Sequence, residues 1–282
     1  MKEQILTSRN RAAELWHSPQ FCMSMAFLGG LSLVAVIGPL LSAYNPNLVE
    51  LSLSGAQPSA EHLLGCDLLG RDLLASLIFG AKTTLYIAGV TVIITASLGT
   101  LIGLFAGYFG GLIDTVLMRF VDIVLAFPGF LLNLALASLL GPSINNIILA
   151  ISATGWASFA RLVRGQVLTL KQREYITASK MLGASDFRII YYHLLPAIYS
   201  LLVVTTSFAL SSVILVEASI SFLGLGAPDS APTWGSLLNQ GRKVLFETPL
   251  LSVMPGFLIM LTVLAFNFIG DRLRDLFDPR EL

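Results

Sequence analysis

The chain is built of long apolar stretches separated by shorter segments in which most of its charges collect. An uncharged run crosses about 30 Å of hydrocarbon when it has roughly 20 residues at about 1.5 Å rise per residue. By that measure residues 21–43 predict a first span, inside the charge-free interval between Glu14 and Glu50. Residues 84–108, bracketed by Lys82 and Asp114, predict a second. The charge-free interval from Ile123 to Ala160 is too long for one helix, and Gly141-Pro142 divides it, leaving a third span at 115–140 and a fourth at 144–160. Residues 197–224 and 248–270 complete six helices, and the fold class is all-α, a polytopic membrane protein. Pro128-Gly129 and Pro255-Gly256 are expected to weaken or kink spans three and six.

Composition narrows the picture. Of the 282 residues 55% are hydrophobic and 12% charged, and mean hydropathy is +0.79, whereas a soluble domain carries about 25% charge. Seventeen basic and 17 acidic residues balance, which argues against a nucleic-acid surface, since phosphate binding needs uncompensated Lys and Arg. With six crossings, thirteen of the basic residues fall on one face, from Lys2, Arg9 and Arg11 through Arg161 and Arg188 to Arg280. Arg71, Lys82, Arg242 and Lys243 fall on the other. The positive-inside rule then puts both termini in the cytoplasm, and the first apolar run is longer than a signal core and reads as an anchor. Cys22 and Cys66 sit near opposite faces, which disfavours a disulfide.

The inner segment between spans four and five is not linker-like. Tyr175, Ala178, Ser179 and Leu182 recur at helical spacing, Gly183 suits a left-handed C-terminal cap, and Ser185 suits the N-cap of a second helix. Phe187, Ile190, Tyr191 and Leu194 form its stripe, and Pro196 is expected to stop it. Two short helices bent at Gly183 fit docking into a groove on another protein, or equally a rest position on lipid headgroups.

The residues Thr177-Ala178-Ser179, Gly183 and His193-Leu194-Leu195-Pro196 resemble the EAA loop of permease subunits of binding-protein-dependent ABC importers. Thr177, Ser179 and His193 depart from that pattern, while Ala178, Gly183, Leu195 and Pro196 keep it. Three further stretches resemble the dipeptide, oligopeptide and nickel branch: the segment from His62 to Asp72, Glu217 to Gly226 with Pro232 to Gly235, and Phe266 to Asp275 with Asp278-Pro279-Arg280. The similarity covers about residues 60–282 and is to the second of two permease subunits.

This resemblance implies a type I ABC importer permease fold in the cytoplasmic (inner) membrane, with an N-terminal anchor and outer loop at 1–80 and a permease domain at 81–282 whose coupling loop occupies 166–196. It implies that Glu174, Tyr175, Ala178, Ser179, Leu182, Gly183, Ala184, Ser185, Asp186 and Arg188 contact an ATPase. It further implies a homologous permease as pseudo-twofold partner, two ABC ATPase subunits that bind ATP and Mg, and an extracytoplasmic solute-binding protein. The expected solute is a di- or oligopeptide, with nickel or a metal chelate as the rival in the same branch. No phosphate-cradling Gly-rich loop and no catalytic constellation occurs, so no cofactor is assigned to this chain and it is not expected to be an enzyme.

A few polar groups remain. Arg119 and Asp122, three apart, read as an internal ion pair near the end of span three or as pathway residues. Glu217 lies about 10 Å below the outer end of span five and reads either as a pathway residue or as a partner of the second permease. His62, Cys66 and Asp67 resemble metal ligands only weakly, and a structural turn is preferred. Leu68, Leu69, Leu73, Leu74, Leu77 and Ile78 suggest an amphipathic helix on the outer surface, and Trp234 an interfacial anchor. Gly99, Gly103, Gly107 and Gly111 place small residues on one helix face, for packing or for helix rearrangement. An ion-coupled secondary transporter fits less well, because intramembrane ionisable groups are few and no internal repeat is visible.

Overall fold

In hydrocarbon the backbone has no water to bond to, so the uncharged runs satisfy their N–H and C=O groups internally as helices. The computed structural model describes residues 18–41, 44, 48–228 and 230–277. The basic residues at 2, 9, 11 and 280, the motif at 278–280 and the predicted end of the first span at 42–43 lie outside them. In chain order the helices are α1 (Pro19–Leu41), α2 (Leu73–Phe109), α3 (Gly111–Ala126), α4 (Gly129–Leu140), α5 (Ile144–Leu170), α6 (Glu174–Met181), α7 (Asp186–Ile189), α8 (Tyr199–Phe222), α9 (Trp234–Gly241) and α10 (Leu250–Phe277). Among the described residues there is no strand, only a bridge between Cys66 and Asp72.

Five helices are long and apolar enough to span a membrane, and six if the bent pair α3–α4 is one crossing. The pair meets α5 in descending order: Asp114 meets Arg164, Asp122 meets Arg161, Asn133 meets Thr154, and Asn146 bonds the carbonyl of Leu140. It therefore carries the chain across once. The kink expected at Pro128-Gly129 is a full break, the third span being bent by 84° at Phe127-Pro128. Phe127 is extended, at φ −85° and ψ 143°, because the proline ring crowds the α conformation of the residue before it. Pro255 has no such effect, since it falls in the second turn of α10 and removes a single bond near the helix start.

The second span begins earlier than predicted. α2 is one helix of 37 residues, about 55 Å long by helical rise, so it overshoots the hydrocarbon. The expected surface helix at 68–78 is not separate: Leu68 and Leu69 belong to a turn, while Leu73 and Leu77 are buried in the first turns of α2. Asp72 caps it by accepting the N–H of Ala75 at 2.7 Å.

α2 and α5 approach so closely that glycine is required. A Cβ on Gly99 would stand 2.5 Å from the Trp156 carbonyl oxygen, and one on Gly103 2.6 Å from that of Ala160. One on Gly107 would meet Val167 Cβ at 2.8 Å. Gly111 lies off this face, at φ +55° where α3 begins. Trp234 corrects another expectation. It is fully buried rather than interfacial, with Nε1 donating to the Leu77 carbonyl at 3.1 Å, and it packs on Gly80.

Gly103→Leu forces a branched side chain into the Ala160 backbone and is expected to destabilise by about 1–3 kcal/mol, an overpacking cost. Gly89, with open space around it, is the control. Thermal unfolding of the two leucine variants in detergent should separate them, and equal midpoints would show that α2 and α5 do not need this contact.

Candidate functional site

The segment after α5 is shaped by its own backbone. α6 ends on Gly183, whose φ of +82° is the left-handed region. The N–H of Gly183 reaches the Lys180 carbonyl, and that of Ala184 reaches Ser179, both at 3.1 Å, closing the helix end as expected. Ser185 occupies the N-cap position of α7, but its hydroxyl makes no capping bond. The beginning of α7 is held from elsewhere: Tyr108 Oη, at the end of α2, donates to Asp186 Oδ1 at 2.6 Å. Pro196 does not stop the helix. A π-helical turn at Ile190–Leu194 and one helical turn at Leu195–Ala197 carry the chain on towards α8, the wider turn absorbing the donor that proline lacks.

The segment has an inner and an outer side. Ile176, Ile189, Leu194 and Ile198 are buried with Leu104, Tyr108, Val163 and Val167, which roots α6 and α7 on the ends of α2 and α5. Lys171 Nζ donates to the Tyr108 carbonyl and lies over its ring. Outside, Leu182 is 88% and Met181 83% exposed, with Phe187, Tyr191, Tyr192 and Tyr175 also exposed. Of the residues expected to couple, Glu174, Tyr175, Ala178, Leu182, Gly183, Ser185, Asp186 and Arg188 are exposed, and Ser179 and Ala184 half-buried. Ser179 Oγ donates to the Tyr175 carbonyl at 2.8 Å and sits 3.5 Å from His193 Nε2. Asp186 is turned towards Tyr108, and the predicted stripe of α7 divides, with Leu194 inside and Phe187 and Tyr191 outside.

The other candidates are not brought to this site as a group. Asp122 pairs with Arg161 of α5 at 2.6 Å, both side chains exposed, and not with Arg119. A helix three residues on supplies a partner only if the rotamers converge, and here the neighbouring helix offers the closer cation. Arg119 is exposed and has no ion pair among the described residues. Glu217 is 0% exposed, turned into the chain's own interior, with Oε1 accepting from Ser221 Oγ at 2.7 Å and Thr233 beside the carboxyl. It therefore faces neither of the two surfaces that the sequence left open.

At the opposite end of α2 the motif from His62 to Asp72 forms a turn. Asp67 Oδ1 accepts the N–H groups of Leu69 and Arg71, Asp67 Oδ2 pairs with Arg71 Nε at 2.7 Å, and His62 Nδ1 lies 3.0 Å from Asp72. Arg71 also reaches Gln240 on α9 at 3.1 Å, tying the loop before α2 to the one after α8. Burial, with Asp72, Asp67 and Glu50 nearby, pushes the Cys66 thiol up from its ordinary pKa. Sequence reasoning missed Ile176, whose place between polar neighbours hides it, and Tyr108 and the bidentate Asp114–Arg164 pair, whose partners lie 78 and 50 residues away.

Comparison with known proteins follows the same lines. The family described as binding-protein-dependent transport system inner membrane component matches residues 99–282. The chain is 41% identical to the dipeptide transport system permease protein DppC of Alkalihalophilus pseudofirmus, over 88% of this chain and 82% of that protein. It is 41% identical to the glutathione transport system permease protein GsiD of Pectobacterium atrosepticum, over 79% and 74%. To the probable D,D-dipeptide transport system permease protein DdpC of Escherichia coli it is 35% identical, over 99% and 95%. Among solved structures, a chain of the inward-facing MetNI methionine ABC transporter aligns with TM-score 0.57 at 20% identity, over 73% of this chain and 98% of that one. This last likeness supports the fold alone.

Tyr108→Phe removes one bond between α2 and α7, worth about 1 kcal/mol net. Amide hydrogen exchange across 185–190 should quicken by about fivefold, since 1.4 kcal/mol is about a factor of ten, while α8 amides stay as they are. Unchanged exchange at 185–190 would mean that the apolar root alone holds the segment.

Proposed function

Because the chain belongs to the family of binding-protein-dependent transport system inner membrane components, we propose that it is the permease subunit through which a di- or oligopeptide crosses the cytoplasmic membrane in an ATP-driven importer. Its relatives named above are peptide-class and glutathione permeases, which supports peptides over nickel or a metal chelate. Family membership sets aside the ion-coupled secondary transporter. The observation that carries the mechanical reading is the α6–α7 pair, rooted on α2 and α5 by Ile176 and Ile189 yet presenting Met181, Leu182 and Phe187 to the outside.

An apolar crest on a rigid root fits the groove of a partner and can transmit its displacement, which a loose loop could not. The partner is one of two ATPase subunits that hold ATP and Mg. Their closure pushes the 174–188 element, α2 and α5 follow because the root is continuous with them, and the pathway between this chain and a homologous permease opens outward. Hydrolysis resets it. An extracytoplasmic binding protein delivers the solute at the Trp234 end. The orientation follows from charge: Arg119, Arg161, Arg164, Lys171, Arg173, Lys180 and Arg188 gather at the α6–α7 end, which is then cytoplasmic.

Gly183→Val puts a β-branched residue at φ +82°, a strained conformation for it. In proteoliposomes holding the whole importer, ATP hydrolysis should persist while dipeptide uptake falls on the order of tenfold, within the usual range of coupling energies. Gly183→Asn, which tolerates the left-handed region, should restore most of the uptake. Parent-level uptake by the valine variant would remove the coupling role.

A further inference from the structure

The middle of the chain holds a recess of about 360 Å³ between α2, α4, α5 and α8. Into it come Thr95, Asn133, Thr154, Ser158, Thr205 and Ser212. Apart from Asn133 these lie six or more residues from either end of their helices, at least about 9 Å by helical rise, so the recess sits deep in the span. Hydroxyls at such depth usually bond a carbonyl of their own helix, as Thr95 does to Thr91 at 2.9 Å and Thr205 to Leu201 at 2.8 Å. Ser158 and Ser212 make no such bond among the described residues, and both are exposed. Asn133 is 4% exposed, and one end of its side-chain amide meets Thr154 Oγ1 at 2.7 Å, written with Oδ1 accepting, while the other end, Nδ2, has no hydrogen bond within the described residues.

Polar groups left open at mid-span are expensive against lipid and settle in a water-filled path or against a polar ligand. We propose that this recess is this chain's contribution to the solute path, where Asn133 Nδ2 and the Ser158 and Ser212 hydroxyls bond the uncharged amide groups of a passing peptide. The lining has no charged side chain and no His or Cys, so it offers no counter-charge to a metal ion, a charged terminus or a charged side chain. Gripping only what every peptide shares, it would accept peptides irrespective of their side chains. The inference rests on the transport reading above and adds to it the site and the chemistry recognised.

The test uses the whole importer in proteoliposomes, with Cys22→Ser in every preparation and buried Cys66 kept. Ser158→Cys, Ser212→Cys and Leu215→Cys are compared, Leu215 being 47% exposed on α8 but outside the recess. A membrane-impermeant cationic methanethiosulfonate should modify positions 158 and 212 on the order of tenfold faster than 215, because a thiolate needs water. Saturating dipeptide should slow both, and modification should block uptake. Asn133→Leu should lower dipeptide uptake severalfold while ATP hydrolysis continues. Equal rates at 212 and 215, or rates that dipeptide does not slow, overturn the proposal even if Asn133→Leu fails to assemble. Dipeptide uptake by the unsubstituted importer tests the transport reading separately: its absence sinks that reading, while the relative thiol rates still decide whether the recess is wet.

Discussion

α2 and α5 lie against each other at a distance that only glycine permits, and the two ends of the molecule are both fastened to that contact. Gly99, Gly103 and Gly107 bring backbone against backbone over two turns. With lipid as solvent there is little hydrophobic gain in bringing helices together, so close van der Waals contact has to hold them. The α6–α7 root grows from the same two helices at one end, through Leu104 and Tyr108 on α2 and Val163 and Val167 on α5. At the other end the first turns of α2 receive Trp234 and follow directly on the Asp67–Arg71 turn. The α6–α7 segment is thus rooted on a pair of helices held at close contact.

The polar motifs at the Trp234 end are joinery, as the preferred reading of His62, Cys66 and Asp67 as a turn expected. Asp67, Arg71, His62 and Asp72 bond one another, Gln240 and the backbone N–H groups of Leu69 and Ala75, and Glu217 spends one hydrogen bond on Ser221. Gly226 and Gly235 exist for clearance, since a Cβ on either would stand within 2.6 Å of a Ser221 or Ala218 atom. These residues bring α8, the loop after it and the start of α2 into one body. An isolated carboxyl inside a span reads as function from sequence alone, because a sequence does not show which side of a helix is covered by the chain's own loop.

Periodicity and charge were enough for the helix count, the break at Gly141, the cap at Gly183 and the bent pair of surface helices, since each depends on local backbone chemistry. Where tertiary contact decides, local pattern failed. Ser185 stands at an N-cap without a capping bond while Tyr108 ties α7 to α2 through Asp186, Asp122 finds Arg161 across a helix boundary instead of Arg119 along its own, and Leu73 enters a long helix that the lysine at 82 concealed. Lys82 misled because a long cation at the rim of a span can keep its charge in the headgroups while its helix continues past it.

The break at Pro128 gains meaning beside the recess. Had α3 and α4 formed one straight helix, Asn133 would follow the axis on which α3 meets Arg164 and Arg161 of α5. The 84° bend redirects α4 so that Asn133 meets Thr154 at mid-span, where α5 and α8 leave Ser158 and Ser212 open. A proline that costs helix continuity thereby turns α4 to where this side chain meets the middle of α5. Since α3 is pinned to α5 by the Asp114–Arg164 pair and α4 meets α5 at Asn133–Thr154, the broken span touches α5 both beside the root of α6–α7 and at the polar recess through one connected set of contacts.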